Sequence, residues 1–383
     1  MEAYYRIEME VPIKIMRNYF VQLKQRARLK QRIIRKKRQL FYKSDLSRVL
    51  SDVEHLLAEG TFKLRRGKKT ILYLESPEVL SFIEKNKAIL LHANAQQSPG
   101  VDSFVFHTAK TANQLFAGQL LMMSQNRDIK IFDFKKNRVL TKFPNKEKCM
   151  HIERAYDRLS PFFDFAITSF SDGYQMELLV DQGSPSDLNA SKKNEMFCDL
   201  IRRYTAYFTK ADKQSLSWVK PVDFFETLHK KAPSYMSARI QRLLMTSDFE
   251  QVSFPRIFLH GDLYNDNILL LHDGRVLLID LECGAPYLFL FDVYNFIYAE
   301  AVKAHNAYFI EAYFNGAYDA LLDALFSALG LMYHADKKQQ YAALYLAERC
   351  LKRWVPYKKA GNEPLAFLEA IERFQRNLTD HMN

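Results

Sequence analysis

The chain has 383 residues and is 48% hydrophobic, enough to bury a sizeable core and to hold more than one domain. No apolar run approaches the length of a membrane span, and the start, MEAYYRIEMEV, lacks the basic-then-apolar order of a signal peptide, so neither a transmembrane helix nor a leader is expected. Cys149, Cys198, Cys283 and Cys350 are scattered without a CxxC pair, which excludes a disulfide or zinc framework and reads as reduced thiols in a cytoplasmic protein.

The net charge of +11 is concentrated: residues 1–43 hold thirteen Lys/Arg against three Glu, whereas the remainder carries 42 basic and 41 acidic residues. Within residues 13–43 there are twelve basic residues and no acid. Ile13, Met16, Phe20, Leu23 and Ala27 recur every three or four positions, the spacing of a helix with one apolar face. A basic amphipathic arm suits an anionic membrane surface, where each Lys or Arg contributes about 1 kcal/mol. Packing of the stripe on the body, or a disordered arm, satisfies the same pattern. Aromatic residues are too sparse here for a single-strand nucleic-acid binder.

Residues 44–98 form an accessory α/β region. A helix is expected from Ser44 to Ala58. Two strands follow around Arg66-Gly67-Lys68, and then a helix opened by Ser76-Pro77. Ala93 to Gly100 is polar and reads as a boundary. Strands are then expected at Gln119–Met123, Asp128–Phe134 and Arg138–Phe143, the last two around the Lys135-Lys136-Asn137 turn. A helix from about Asn145 to Leu159 and a strand over Gly173–Val180 come next. Residues 181–190, DQGSPSDLNA, are a linker, and helical periodicity continues to Met245, with a helix around Ser237–Leu244.

The stretch from Ile257 to Glu282, IFLHGDLYNDNILLLHDGRVLLIDLE, carries the chemistry. Two short apolar runs flank His272-Asp273-Gly274, which reads as a β-hairpin. Asp262 and Asn267 lie on the loop entering it and Asp280 where it leaves, so three oxygen-bearing side chains converge. Hard oxygen ligands suit Mg²⁺, and a nearby carboxylate can take the proton of an attacking hydroxyl.

His260-Gly261-Asp262, Asn267, Asp280-Leu281-Glu282 and Phe291-Asp292 together resemble the catalytic loop of the aminoglycoside phosphotransferase and choline kinase superfamily. The resemblance is specific over residues 259–292. It implies an α+β, bilobal protein-kinase-like fold, with a small antiparallel-sheet N-lobe over 99–180 and a helical C-lobe over 181–383. It implies ATP and Mg²⁺ as cofactors and a hydroxyl-bearing small molecule, sugar or lipid headgroup as acceptor. Asp262 would be the base, Asn267 and Asp280 the metal ligands, and His260 and Asp292 supports of the loop.

The same resemblance makes Lys142, in VLTKF, the lysine that steadies the phosphates and Glu153 its ion-pair partner, with Glu147 as competitor. It puts backbone groups near Glu177 and Leu179 against adenine and Met176 at the back of that pocket. The glycine-rich phosphate loop is missing, and only Gly118 lies near its place. The aromatic series Tyr287, Phe289, Phe291, Tyr294, Phe296 and Tyr298 is either core or a cage for a quaternary ammonium. A kinase-like scaffold binding through its basic arm, and a protein kinase, are the alternatives. Three intact acidic-loop residues argue against the first, and the His-Gly-Asp spelling with no Ala-Pro-Glu segment argues against the second.

Overall fold

The computed structural model describes residues 49–66, 69–86, 90, 103–106, 116–123, 128–171, 173–179, 185, 188–231, 234–244, 249–354, 367–369 and 372. The basic arm, the Ser44 cap, the 93–100 boundary, most of the 181–190 linker and the Gly361-Asn362 break lie outside these residues. The chain divides into two compact units at Leu121 and Met122.

In the first unit, β1 (Gly60–Arg66) and β2 (Thr70–Leu74) pair antiparallel, from Phe62 opposite Leu74 to Arg66 opposite Thr70. Helix α1 (Pro77–Lys85) starts where expected. Ser76 Oγ accepts from Val79 N at 3.4 Å, and Pro77 occupies the first turn, where no donor is needed. Strand β3 (Ser103–Phe106), which sequence pattern did not single out, pairs with the other edge of β1. Phe62, Ile71, Leu72, Val79 and Ile83 form this unit's interior. Strand β4 (Leu120–Met123) runs through the boundary residues.

The second unit opens with β5 (Ile129–Asp133), β6 (Arg138–Lys142), helix α2 (Lys146–Leu159), β7 (Ile167–Ser171) and β8 (Tyr174–Leu178). The strands are antiparallel in the order β5-β6-β8-β7. Asn145 caps α2 by accepting from Lys148 N at 2.8 Å. The helical region then follows: α3 (Ala190–Lys210), α4 (Pro221–Lys231), α5 (Ser234–Leu244), α6 (Phe291–Val302), α7 (Tyr308–Phe314), α8 (Asp319–Ala328) and α9 (Lys338–Arg349). Among these helices sit a small sheet, β9 (Ser217–Val219), β10 (Phe254–Leu259) and β13 (Ala285–Leu288), in the order β13-β10-β9, and the hairpin of β11 (Ile268–Leu270) and β12 (Val276–Leu278). The hairpin pairs Ile268 with Leu278 and Leu270 with Val276. The α+β architecture is as expected: an antiparallel sheet interrupted by one helix, then a mainly helical region carrying loop and hairpin.

Of the strands that escaped the sequence pattern, β7 and β13 did so for clear physical reasons. β7, ITSFS, is an edge strand with mostly exposed side chains, so it shows no apolar alternation. β13, APYL, contains Pro286, which an edge position tolerates because one side of the strand needs no donor. The aromatic series around α6 is core: residues 291–300 are all buried, and Tyr287, Phe289, Phe291, Tyr294, Phe296 and Tyr298 are each no more than 5% exposed. The quaternary-ammonium cage is therefore set aside, since these rings face one another and not a ligand.

Helix α9 is tied to both neighbouring strands by Glu348, which is fully buried. Its carboxylate accepts from Arg256 Nη2 at 3.0 Å and from the backbone N–H of Leu288 at 2.8 Å. Burial pushes this carboxyl above its usual range, and Arg256 pulls it back. Glu348→Ala is expected to cost about 3–5 kcal/mol, because it strands a part-buried guanidinium and a buried N–H. Glu348→Gln should cost less. The urea unfolding midpoint, with the slope unchanged, is the check.

Candidate active site

The loop after β10 is held by one carboxylate. Asp292, on the first turn of α6 and 1% exposed, accepts from His260 N at 2.9 Å (Oδ2) and from Gly261 N at 2.9 Å (Oδ1). Tyr204 of α3 donates its hydroxyl to the same Oδ2 at 2.6 Å. Burial raises the Asp292 carboxyl above its ordinary range, and His260 with these hydrogen bonds offsets part of that. One turn further along α6, Asn295 donates Nδ2 to the Leu263 carbonyl at 2.9 Å. Two successive polar side chains of one helix thus fix the backbone on both sides of Asp262.

Gly261 explains the His-Gly-Asp spelling. Its φ is +78°, and an added Cβ would lie 2.4 Å from the Cys283 carbonyl oxygen and 2.5 Å from the Tyr287 ring. The position allows neither the conformation nor the volume of another residue. His260 is buried, and its Nε2 lies 2.8 Å from the Ile279 carbonyl, joining the loop to the end of β12.

Asp262, Asn267 and Asp280 are connected through backbone. Asn267 donates Nδ2 to the Asp262 carbonyl at 2.8 Å, and its own carbonyl accepts from Ile279 N at 3.0 Å. The amide orientation leaves Asn267 Oδ1 as the remaining ligand atom. Asp280 is exposed and left-handed, with φ 64° and ψ 66°. Such a backbone costs about 1–3 kcal/mol outside glycine, least for Asp and Asn. An amide oxygen and an exposed carboxylate are hard oxygen donors, of the kind that suits Mg²⁺.

The sheet residues fall differently from expectation. Directly opposed residues in an antiparallel ladder share a face, and neighbours along a strand do not. Lys130 opposes Thr141, Thr141 opposes Gln175, and Val139 opposes Glu177. Lys142 opposes Ile129 and Tyr174, and Met176 opposes Leu140. Lys142 and Met176 therefore stand on one face, and Lys130, Thr141, Gln175 and Glu177 on the other. Lys142 Nζ lies 5.9 Å from the Tyr174 ring centroid, on its own face. Glu153 is half-buried on α2 and forms no ion pair among the described residues. The expected Lys142–Glu153 pair is thus absent.

The adenine-binding groups also need correction. The Leu179 N–H donates to the Asn137 carbonyl at 2.8 Å, and Glu177 sits inside the ladder between Val139 and Ile167. Gly118 is equally committed: its N–H donates to Leu56 and its carbonyl accepts from Ala58, both at 2.9 Å. It is not a phosphate-loop glycine.

Two lysines missed by motif reading occupy the other face. Lys130 Nζ lies 3.4 Å from Glu177 Oε2, and Gln175 Nε2 donates to Glu177 Oε1 at 2.5 Å. Lys148, at the start of α2, donates to both oxygens of Asp128 at 2.7 Å and reaches Glu282 Oε2 at 3.0 Å. Attraction to Glu177, and then to Asp280 and Glu282, raises the Lys130 ammonium despite its burial. Burial lowers Lys148, but its hydrogen bonds to Asp128 and Glu282 more than compensate. Glu282 is raised by burial and by the charges of Asp280 and Asp128, with Lys148 opposing. The hairpin register was available in the sequence: a turn closed by Asp133 and Arg138 forces Lys130 opposite Thr141.

Beside the loop a cavity of about 230 Å³ is lined by Tyr264, Asn265, Asp266, Ala299, Glu300, Lys303 and Ala304. Glu300 is 1% exposed and receives Lys193 Nζ at 3.1 Å, Asn306 Nδ2 at 2.8 Å and Asn265 Nδ2. Lys303 Nζ stands 3.8 Å above the Tyr264 ring, and Asn265 Oδ1 is buried without a partner.

Residues 193–325 match the model of the family described as the phosphotransferase enzyme family. No curated protein sequence matches the chain. Among solved structures, choline kinase LicA from Streptococcus pneumoniae is 13% identical, with 79% of this chain and 100% of that chain covered and a TM-score of 0.44. A thermostable mutant of aminoglycoside phosphotransferase APH(4)-Ia, in ternary complex with ADP and hygromycin B, is 12% identical over 65% of this chain and 90% of that one, with a TM-score of 0.42. Glucosamine kinase in complex with glucosamine, ADP and inorganic phosphate is also 12% identical, over 67% and 81%, with a TM-score of 0.42. The family match includes the whole catalytic loop and agrees with its motif. Residues 193–325, which carry the loop and its motif, thus resemble the phosphotransferase enzyme family.

Gly261→Ala is expected to displace the loop and to destabilise the protein by about 2–4 kcal/mol, the sum of a left-handed backbone and an overpacked contact. Thermal melts of this variant beside Gly284→Ala, whose φ is negative, provide the check.

Proposed function

We propose that the chain transfers the γ-phosphoryl group of ATP to a hydroxyl of a small polar acceptor, with Asp262 as general base. The observation that carries this reading is the clamp of Asp292 and Asn295 on the loop, which holds the backbone on both sides of Asp262 while leaving its carboxylate half-buried. Asp262 accepts the proton as the acceptor oxygen forms its bond to the γ-phosphorus, and the bond from that phosphorus to the ADP oxygen breaks. Asn267 Oδ1 and the Asp280 carboxylate would hold Mg²⁺, which when bound neutralises phosphate charge. The hydrogen bond from Asn267 to the Asp262 carbonyl makes base and metal ligand one rigid unit, so proton acceptor and phosphate are positioned together.

The cavity at Tyr264, Asp266, Glu300 and Lys303 supports a polar acceptor, sugar-like in its hydrogen-bonding demand. The buried, unpaired Asn265 Oδ1 would accept from such a hydroxyl. The twelve basic residues of 13–43 favour an acceptor presented at an anionic membrane surface, such as a glycolipid headgroup. The free cysteines support a reducing, cytoplasmic setting, and no helix among the described residues is long and apolar enough to cross a membrane. A scaffold without turnover remains the competing reading.

Mg–ATP at a hundredfold its Kd is expected to stabilise the protein by about 2.7 kcal/mol in a thermal-shift titration. Asp280→Asn, which keeps a residue tolerant of the left-handed backbone, should abolish the Mg²⁺-dependent part of that shift. Asp262→Asn should retain nucleotide binding and lose ADP release across a panel of sugars and lipid headgroups. Turnover retained by Asp262→Asn would remove the assigned base. No shift at millimolar nucleotide in a folded protein would favour the scaffold.

A further inference from the structure

We propose that Lys130 of β5, paired with Glu177 of β8, is the cation that steadies the nucleotide phosphates, a role that the sequence motif had given to Lys142 of β6. The inference rests on the phosphotransfer reading above and names a residue that reading does not use.

Three geometric observations carry it. First, the register puts Lys130 and Lys142 on opposite faces, because Lys130 opposes Thr141 and Lys142 is the next residue. Second, the face bearing Lys130 is the one turned to the acidic end of the hairpin. Asp128 lies two residues before Lys130, and Lys148 joins it to Glu282 with contacts of 2.7 and 3.0 Å. Asp280, two residues before Glu282, contributes to the field on Lys130. Third, Lys130 already has the carboxylate that a phosphate-binding lysine needs for orientation. Its Nζ lies 3.4 Å from Glu177 Oε2, and Gln175 fixes the other oxygen of that carboxylate.

The residue at the motif position on this face is Thr141, 2% exposed, whose Oγ1 has no hydrogen-bond partner among the described residues. A short side chain there lets the lysine of the adjacent strand pass over it to Glu177. The usual device, a strand lysine with a glutamate from the helix, is thus rebuilt within the sheet, while α2 contributes a cation, Lys148, in place of an acid. Lys130 keeps about a third of its side-chain surface exposed. Glu177 is 8% exposed and holds the lysine against the sheet when no phosphate is present.

The experiment is a Mg–ATP titration by thermal shift, with full-length wild type beside Lys130→Ala, Lys130→Arg, Lys142→Ala and the double variant Lys130→Ala/Thr141→Lys. Lys130→Ala is expected to raise the Mg–ATP Kd at least tenfold, read against its own free-protein melting temperature, which falls because buried Glu177 loses its partner. Lys130→Arg should retain most of the binding. The double variant should recover it, because Thr141→Lys places an ammonium on the same face one strand away. A purely structural role for Lys130 predicts no such recovery. If Lys142→Ala removes the shift and Lys130→Ala leaves it, the assignment is overturned and the phosphotransfer reading stands. If the wild-type protein shows no Mg–ATP shift, that reading fails and the assignment fails with it.

Discussion

The geometry of the site depends on one buried carboxylate receiving two backbone N–H groups. Asp292 cannot share that task with water, being 1% exposed, and hydrogen bonds to a charged acceptor are worth about 1.5–3 kcal/mol each. Its position in the first turn of α6 adds the favourable end of the helix dipole. The consequence passes outward in steps. The clamp on His260 and Gly261 forces the chain through a left-handed glycine. That turn brings His260 Nε2 to the Ile279 carbonyl and Asn267 to the Asp262 carbonyl, and Asp280 then leaves β12 in its own left-handed conformation. The buried Asp292 holds the backbone, and the acids assigned to the reaction keep accessible carboxylates.

A second constraint is charge. Asp280, Glu282 and Asp128 concentrate negative charge on one side of the second unit, and two lysines from different elements answer it. Lys148 bridges Asp128 and Glu282, and Lys130 faces Glu177 with Asp280 beyond. Glu282 still titrates high, because burial and its acidic neighbours outweigh Lys148. A negative potential next to Asn267 and Asp280 would favour a divalent cation and repel a bare triphosphate.

The loop and hairpin were legible because their signals are local. An Asp-Gly turn between apolar runs has one common solution, and residues 268–278 adopt it. The sheet was legible as strands but not in phase. On the proposed assignment of Lys130, Lys142 and Met176 stand on the opposite face of the sheet, and a shift of one residue along a strand inverts every side chain. The motif VLTKF hid this, because a lysine at a strand end looks the same in either phase. The hinge donors failed for another reason. Whether the Leu179 N–H is free depends on Asn137, a turn residue at φ 49° that reaches it from the neighbouring hairpin. The backbone of Gly118 is committed by a contact distant in sequence, its bridge to Leu57. Neither contact leaves a trace in local pattern.

The balance between enzyme and scaffold can be argued from strain. Asp280 holds a left-handed backbone at a cost of about 1–3 kcal/mol, in a position where glycine would relieve it. Its carboxylate forms no hydrogen bond among the described residues, and the attraction of Lys130 offsets only part of that cost. It also raises Glu282 by repulsion. A protein that only displayed surfaces would gain stability by losing Asp280, and Asn265 Oδ1 would gain by meeting a partner. Unfavourable groups gathered around one loop are ordinary where a ligand supplies the missing contacts. The two here ask for different ones: a cation at Asp280 and a hydrogen-bond donor at Asn265. A phosphotransferase brings both to the same loop, the metal with its nucleotide and the hydroxyl with its acceptor.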